Sequence, residues 1–431
     1  MMSGAREPEA GAPAAPAEPL ALKRDLGLLD AVGIGLGAIV GAGIFVVTGV
    51  AAGIAGPALL VGLVIAGVAA TANALSSAQL AAEYPQAGGA YEYGYRVLHP
   101  WVGFAAGWMF LASKIAAAGT VALGLGAYVD ALVPHLPART IAIGAVLAFT
   151  ALNYVGIKRS SLVNLAIVGA SVGALLLFTV SGAGAIRVEN FRPFAPAGLR
   201  GTMEAAALLF FAYTGYARIA TLAEEVRDPA SVIPRAIVLT ISGAILLYTC
   251  VAVVAVGTIG AASMAATGAP LHAAALASPY PAVATVVSAG GVTAMLGVIL
   301  SQLLGLSRTV FAMARRGDLP RSLADVHPRY QVPGRAVLVI GAVAAVVAAM
   351  GTLRVVASAA AFTILVYYAI ANVAALRMPR DAKRYSDAVP LVGLTACFLL
   401  ALSLARPVML TGTGILAAGF ALRWVLRRTG K

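Results

Sequence analysis

Three stretches of the sequence place chemistry-bearing groups inside long apolar runs. The first is Gly33-Ile34-Gly35-Leu36-Gly37-Ala38-Ile39-Val40-Gly41-Ala42-Gly43-Ile44-Phe45, with five glycines in eleven residues. Each glycine costs a helix about 1 kcal/mol relative to alanine. A helix here is expected to open at Gly41-Ala42-Gly43. The freed amides then point from the positive end of the next half-helix, an arrangement that favours an anion such as a carboxylate. The second stretch is Phe210-Phe211-Ala212-Tyr213-Thr214-Gly215-Tyr216-Ala217-Arg218. A half-helix ending there leaves carbonyls near Phe211, Ala212 and Thr214 that suit an ammonium group, with the Phe211 ring able to close over it as a gate. The alternative for Phe211 is a plain core aromatic. The third is Lys114, more than ten residues from either end of its apolar run. A lysine at that depth costs about 3 kcal/mol on insertion scales and demands a partner or a watery cavity. Two readings stand: Lys114 faces a central site, or it forms a structural pair within the bundle.

The glycine stretch has two rival readings. A dinucleotide-binding loop needs a strand before it and a helix after it in a soluble unit, which a membrane-length apolar run does not offer. Gly33, Gly37 and Gly41 are also spaced four apart, as in close helix contacts. Both roles fit together if Gly33 and Gly37 pack while Gly41-Ala42-Gly43 unwinds.

The elements that must hold these groups are membrane helices. The chain of 431 residues is 61% hydrophobic and 11% charged, against roughly 45–50% and about 25% for soluble domains. Twelve apolar spans are expected, near 26–54, 57–82, 100–131, 138–156, 161–185, 202–223, 234–258, 281–312, 335–351, 354–376, 388–405 and 408–425. The net charge of +13 is not a nucleic-acid signature, because its placement follows topology. With the N-terminus inside, 21 basic residues fall on the cytoplasmic side and 6 on the other, which supports both ends inside. Cys250 and Cys397 both sit in apolar spans, so neither a disulfide nor a metal site is expected. No Ser/His, Cys/His or paired-carboxylate constellation lies at depth, which argues against an intramembrane enzyme. A channel would instead want an acidic or carbonyl-lined pore.

The connecting segments carry further signals. Glu83-Tyr84-Pro85-Gln86-Ala87-Gly88-Gly89-Ala90-Tyr91-Glu92-Tyr93 reads as a cytoplasmic loop, whose carboxylates are either solvated or part of an inner gate. Glu224-Glu225-Val226-Arg227-Asp228-Pro229 follows the sixth span, and Arg218 reads either as an ion-pair member or as a substrate contact. Residues 268–280 form an expected outer-loop cap, with His272 read as a surface histidine. The last two spans carry few polar residues and look peripheral.

Four motifs in order resemble the amino acid–polyamine–organocation transporter family. They are Gly41-Ala42-Gly43-Ile44-Phe45; Tyr84-Pro85 with Ala87-Gly88-Gly89-Ala90-Tyr91; Phe211 to Pro234 with its Glu-Glu-Val-Arg-Asp-Pro core; and Ser307 to Arg335 with Ala-Arg-Arg-Gly-Asp-Leu-Pro. The resemblance implies a LeuT-type fold: all-α, integral to the membrane, a five-plus-five inverted repeat with discontinuous first and sixth helices, and two peripheral helices. It implies a substrate carboxylate on amides at Ile39, Gly41, Ala42 and Gly43, and an amine on carbonyls at Phe211, Ala212 and Thr214, beside Gly215. Third-span residues near Ala112, Ser113 and Ala117 would border the side-chain pocket. Proton-coupled relatives often carry a lysine midway along the fifth span, where this chain has Ser171. That departure places lysine-based proton coupling in doubt and makes Lys114 and Ser171 the candidate coupling or cavity positions. No acidic residue falls in the inferred pocket. A neutral amino acid is therefore the expected substrate, or an acidic one if Lys114 faces the pocket.

The expected organisation is a disordered cytoplasmic tail at 1–24, a first repeat at 25–185, a second repeat with the cap at 186–376, and the last two helices at 377–431. The expected activity is alternating-access amino-acid transport across the plasma membrane, as a permease with a proton as the possible coupling ion; the alternative is an amino-acid or polyamine exchanger without proton coupling. No cofactor and no nucleic-acid partner are expected.

Overall fold

The computed structural model describes residues 27–84, 88–156, 161–216, 219 and 226–429. Arg218, Glu224, Glu225, Pro85-Gln86-Ala87 and the expected N-terminal tail lie outside the described residues. Among those described, the regular structure is helical. The longer helices are α1 (Leu28–Ile39), α2 (Thr48–Ala55), α3 (Leu59–Glu83), α4 (Pro100–Leu132), α5 (Ala138–Val155), α6 (Ser161–Gly182) and α7 (Gly198–Tyr213). They continue with α8 (Pro229–Ala265), α9 (Pro270–Leu276), α10 (Val283–Arg315), α11 (Gly334–Met350), α12 (Leu353–Leu376), α13 (Ala388–Ser403) and α14 (Arg406–Thr429).

Eight helical stretches among the described residues are long and apolar enough to cross a bilayer, and Leu28–Ile39, Gly334–Met350 and Ala388–Ser403 are shorter apolar helices. That differs from the expected count of about twelve crossings, for local reasons. The expected first span is broken, so its first half, α1, has only 12 residues. Its second half runs on with α3 as a 41-residue apolar stretch, Gly43–Glu83. The helices α7 and α13 have 16 residues each, a rise of about 24 Å against a hydrocarbon core of about 30 Å. The chain is nonetheless an integral membrane protein by the number and apolarity of its helices.

Two packed groups meet at a seam. In one, α1 and α3 pack on α8, α3 packs on α7, and α2 lies against both α7 and α8. In the other, α4 packs on α5 and α10, α11 packs on α5, and α10 packs on α6. The long helix α12 lies against α4 and also touches α3 and α7. The helices α4 and α10 run antiparallel. Gly107 of α4 approaches Met313 of α10, and Gly124 approaches Met295.

The glycines of α1 divide differently from the expected pattern. A side chain at Gly33 would meet nothing, whereas Gly35 lies against Ile219 and Thr240, and Gly37 against Val168. The close helix contact is thus made by Gly35 and Gly37. The expectation of Gly33 fails because the face of α1 that packs is one residue pair further along.

The last helix is less detached than its composition suggests. Trp108 Nε1 of α4 donates to the Ile415 carbonyl of α14 at 2.7 Å. Arg423 of α14 is fully buried, with Nε 3.0 Å from Oδ1 of the equally buried Asp318. Those two atoms face one another without hydrogen-bond alignment, so their attraction is coulombic. Arg423 also donates to the Pro100 carbonyl at 2.7 Å and to the Tyr95 hydroxyl at 2.5 Å. Its guanidinium lies over the rings of Trp101 and Phe104, at 4.6 Å and 4.9 Å. Tyr91 donates to Asp318 Oδ2 at 2.8 Å, and Tyr95 donates to the same oxygen.

Next to this cluster, Glu92 accepts from Arg96 at 2.7 Å and from Arg316 at 2.6 Å. The second bond ties the short helical segment Ala90–Tyr93, which precedes α4, to the end of α10. Burial pushes the Glu92 carboxyl upward, but the bonds from Arg96 and Arg316 outweigh it and hold its pKa below the usual 4.5. A lowered carboxyl pKa stabilises the fold above the unfolded value, and that contribution is lost as pH falls through the folded value. Glu92→Gln is therefore expected to lower thermal stability at pH 7 by about 1–2 kcal/mol. The gap to the unsubstituted protein should persist down to pH 5 and close only in more acid solution. Thermal unfolding in detergent from pH 7 to pH 4 checks this.

Candidate functional site

The first helix opens where glycine replaces side-chain support. Val40 still donates to Leu36, but α1 stops at Ile39, and Ile44 and Phe45 both donate back to the Gly41 carbonyl. A π-helical turn, Gly43–Val47, then leads into α2. Among the described residues, the amides of Gly41 and Ala42 make no backbone hydrogen bond. They behave as the orphan donors of a fresh helix start. Tyr248 fixes the near side of the break by donating to the Ile39 carbonyl at 2.8 Å. Tyr128 fixes the far side by donating to the Phe45 carbonyl at 2.7 Å, while its oxygen accepts the Leu271 amide of α9 at 3.3 Å.

The second interruption faces the first. The helix α7 ends at Tyr213 and tightens into a 3₁₀ turn at Thr214–Tyr216. The Thr214 amide and its hydroxyl, at 2.9 Å, both return to the Phe211 carbonyl. That carbonyl has two lone pairs and both are engaged, so the acceptors left at this helix end are those of the following residues. A Cβ on Gly215 would lie 2.1 Å from the Ala38 carbonyl oxygen, and one on Gly43 would lie 2.4 Å from the Ala212 Cβ. The two breaks therefore touch backbone to backbone.

One cavity of about 60 Å³ lies between them. It brings together Ile39, Gly41, Ala42 and Gly43 from the first break, Phe211, Ala212, Thr214 and Gly215 from the second, and Lys114 from α4. Ala38, Val121, Val298 and Gln302 complete the lining. The volume is that of roughly two water molecules at about 30 Å³ each. An amino acid needs the walls to part.

Nine expected residues thus converge, and four do not. Ser113 donates to the Ala360 carbonyl of α12 at 2.9 Å. Its side chain leaves the face of α4 that carries Lys114, because successive helix residues point about 100° apart. Ser171 donates to the Ile167 and Gly290 carbonyls, at 2.8 Å and 3.0 Å. It ties α6 to α10, away from the cavity. Ala112 lines a separate apolar groove of about 600 Å³. Ala117 belongs to a buried cluster with Ala116, Val356 and Ala360, against which the half-buried Phe211 packs.

Sequence reasoning passed over Gln302, Val121 and Val298. Gln302 had a signal, an amide in the apolar run Val298-Ile299-Leu300-Ser301-Gln302-Leu303-Leu304. The two valines had none. His272 also differs from expectation: it is half-buried, and its Nδ1 lies 2.8 Å from the Oγ of the fully buried Ser288. Burial lowers its pKa below 6.5.

A polytopic helical protein with paired mid-helix breaks around a small cavity has the architecture of a membrane carrier. The amino acid permease family matches residues 30–420, and the chain belongs to it. It is thus a transmembrane permease of an amino-acid transport family and not an enzyme. It is 44% identical over 408 residues to an uncharacterized transporter of Mycobacterium tuberculosis, covering 94% of this chain and 92% of that one. It is 34% identical over 349 residues to a branched-chain amino acid permease of Bacillus subtilis, covering 76% and 75% of the two chains. A methylthioribose transporter of the same organism is 33% identical over 369 residues, covering 80% of each.

Proposed function

We propose that the chain is a secondary transporter that moves amino acids across the plasma membrane by alternating access, with both termini cytoplasmic. The observation that carries this reading is the single cavity shared by the two helix breaks. In it, the amides of Gly41, Ala42 and Gly43 take the substrate carboxylate, as unsatisfied donors at a helix start do. Carbonyls at Ala212 and Thr214 take the amine. Phe211, packed beside the cavity against α4 and α12, serves as the gate. The helices fit a five-plus-five repeat in which α1, α2 and α7 belong to broken first and sixth spans. Widening of the cavity on one side at a time is the transport step.

A second reading, exchange without proton coupling, has its own support. Ser171 stands where a titratable lysine would serve a proton-coupled carrier, and its hydroxyl is engaged in joining α6 to α10. Uptake and counterflow in proteoliposomes test both readings. Accumulation driven by an imposed proton gradient is the symport outcome. Counterflow without gradient-driven accumulation is the exchange outcome. No movement of any common amino acid would refute the proposal.

A further inference from the structure

The apolar groove of about 600 Å³ runs between α4, α11 and α12, with Val310 of α10 and Ile415 of α14 also in its wall. Its rim and floor differ. Val339, Val343, Val346, Met350 and Val355 line it and are 42–80% exposed, whereas Ala116, Val310, Ile340 and Val356 line it and are buried. The slot is therefore deep and narrow. A helix about 10–12 Å across cannot reach such a floor, and a single hydrocarbon chain can. The two polar side chains of the lining are already engaged. Trp108 holds the Ile415 carbonyl, and the Thr363 hydroxyl donates to the Ala359 and Ala360 carbonyls at 2.7 Å and 3.2 Å. A polar ligand would lack the few oriented polar groups that small-molecule sites supply. Charge stands instead at the end of the groove formed by Met350, Gly351 and Val355. There the exposed Arg139 of α5 donates to the Gly351 carbonyl at 3.3 Å. The exposed Arg354 adjoins Val355, with Nη2 4.0 Å from Glu204 Oε1. A guanidinium carries five N–H donors, more than these contacts use. From Met350 to Val339 the lined stretch of α11 rises about 16 Å, the depth of one leaflet of a hydrocarbon core about 30 Å thick.

We infer that this groove is a site for one acyl chain of an anionic phospholipid, whose phosphate lies at Arg139 and Arg354. The inference goes beyond the transport reading and does not depend on it. Within a bilayer the chain gains nothing by leaving water, so its affinity comes from close packing against a preformed wall. Selectivity falls to the headgroup, because arginine meets a phosphate with charge-assisted, bidentate bonds. The chain also lies one layer of side chains from the amino-acid cavity. Ala116, Val347, Val356 and Ala359 line the groove, and they belong to the apolar cluster on which Phe211 packs.

The test uses the purified full chain, delipidated in detergent and given phosphatidylglycerol or phosphatidylcholine with identical acyl chains. Native mass spectrometry reads bound lipid, and thermal unfolding reads protection. Phosphatidylglycerol is expected to bind about tenfold or more tightly than phosphatidylcholine, and to protect at correspondingly lower concentration. Replacing both arginines, Arg139→Gln with Arg354→Gln, should remove that preference. Ala359→Phe places a ring in the groove and should abolish lipid retention, and Ala112→Phe carries this arm if the first variant does not fold. Equal binding of the two lipids, or no binding of either, overturns the inference. So does a preference that survives the double arginine substitution, or full retention by a folded variant with the groove filled. A dimer that forms without bound lipid and is lost on filling the groove would assign the groove to a second copy of the chain, and overturns it as well.

Discussion

Gly215→Ala is expected to reduce amino-acid uptake to below about a tenth of the unsubstituted rate, with membrane insertion unchanged. The added methyl would lie 2.1 Å from the Ala38 carbonyl oxygen, 2.3 Å from its carbon and 2.7 Å from the Ile39 nitrogen. All three are backbone atoms, so no side chain can swing away. The two breaks must separate, and with them the carboxylate and amine subsites. Overpacking of this kind costs about 1–3 kcal/mol, which a large membrane bundle survives. A displacement of about 1 Å at a recognition site nevertheless costs roughly a hundredfold in a reaction that depends on positioning. Gly43→Leu acts from the other side. Its first carbon would lie 2.4 Å from the Ala212 Cβ and 2.6 Å from the Ala212 Cα, so it strikes the facing helix before it reaches the amides. Proteoliposome uptake, with size-exclusion profiles to control for folding, checks both. Normal uptake by either folded variant contradicts the paired-break site.

The second large effect is on stability. Among the described residues, Arg423→Met leaves the fully buried Asp318 facing Tyr91, Tyr95 and, at 4.0 Å, the half-exposed Arg427. Removing one partner of a buried pair costs about 3–5 kcal/mol, because the remaining charge has no compensation. Asp318→Asn leaves the Arg423 guanidinium similarly stranded, though its stacking on Trp101 and Phe104 is retained. The double variant should recover a substantial part of the loss. Thermal unfolding of the single and double variants in detergent measures the coupling. Strictly additive losses would show that the pair is not coupled.

The interruptions were legible because each breaks a strong local pattern. Glycines at 41 and 43, Thr214 with Gly215, and Lys114 are all out of place in apolar runs, and all line one cavity. What sequence spacing does not carry is which face of a helix meets which neighbour. Ser113 and Lys114 are adjacent in the chain, yet one binds α12 and the other lines the cavity. Gly35 packs in place of the expected Gly33 for the same reason. Arg423 read as one of many basic residues flanking the last span. Its burial against Asp318 joins residues more than a hundred positions apart, and only the folded chain brings them together. Valines 121 and 298 are ordinary apolar residues whose importance comes from position alone.

The central claim is that both breaks recognise one amino-acid backbone, the carboxylate on Gly41 to Gly43 and the amine on Ala212 to Thr214. The most direct measurement is counterflow in proteoliposomes with competitors that lack one group at a time. For the best-transported amino acid, removing the α-carboxylate or the α-amine should each abolish competition, and esterifying the carboxylate should do the same. Full competition by either the decarboxylated amine or the deaminated acid would contradict the account.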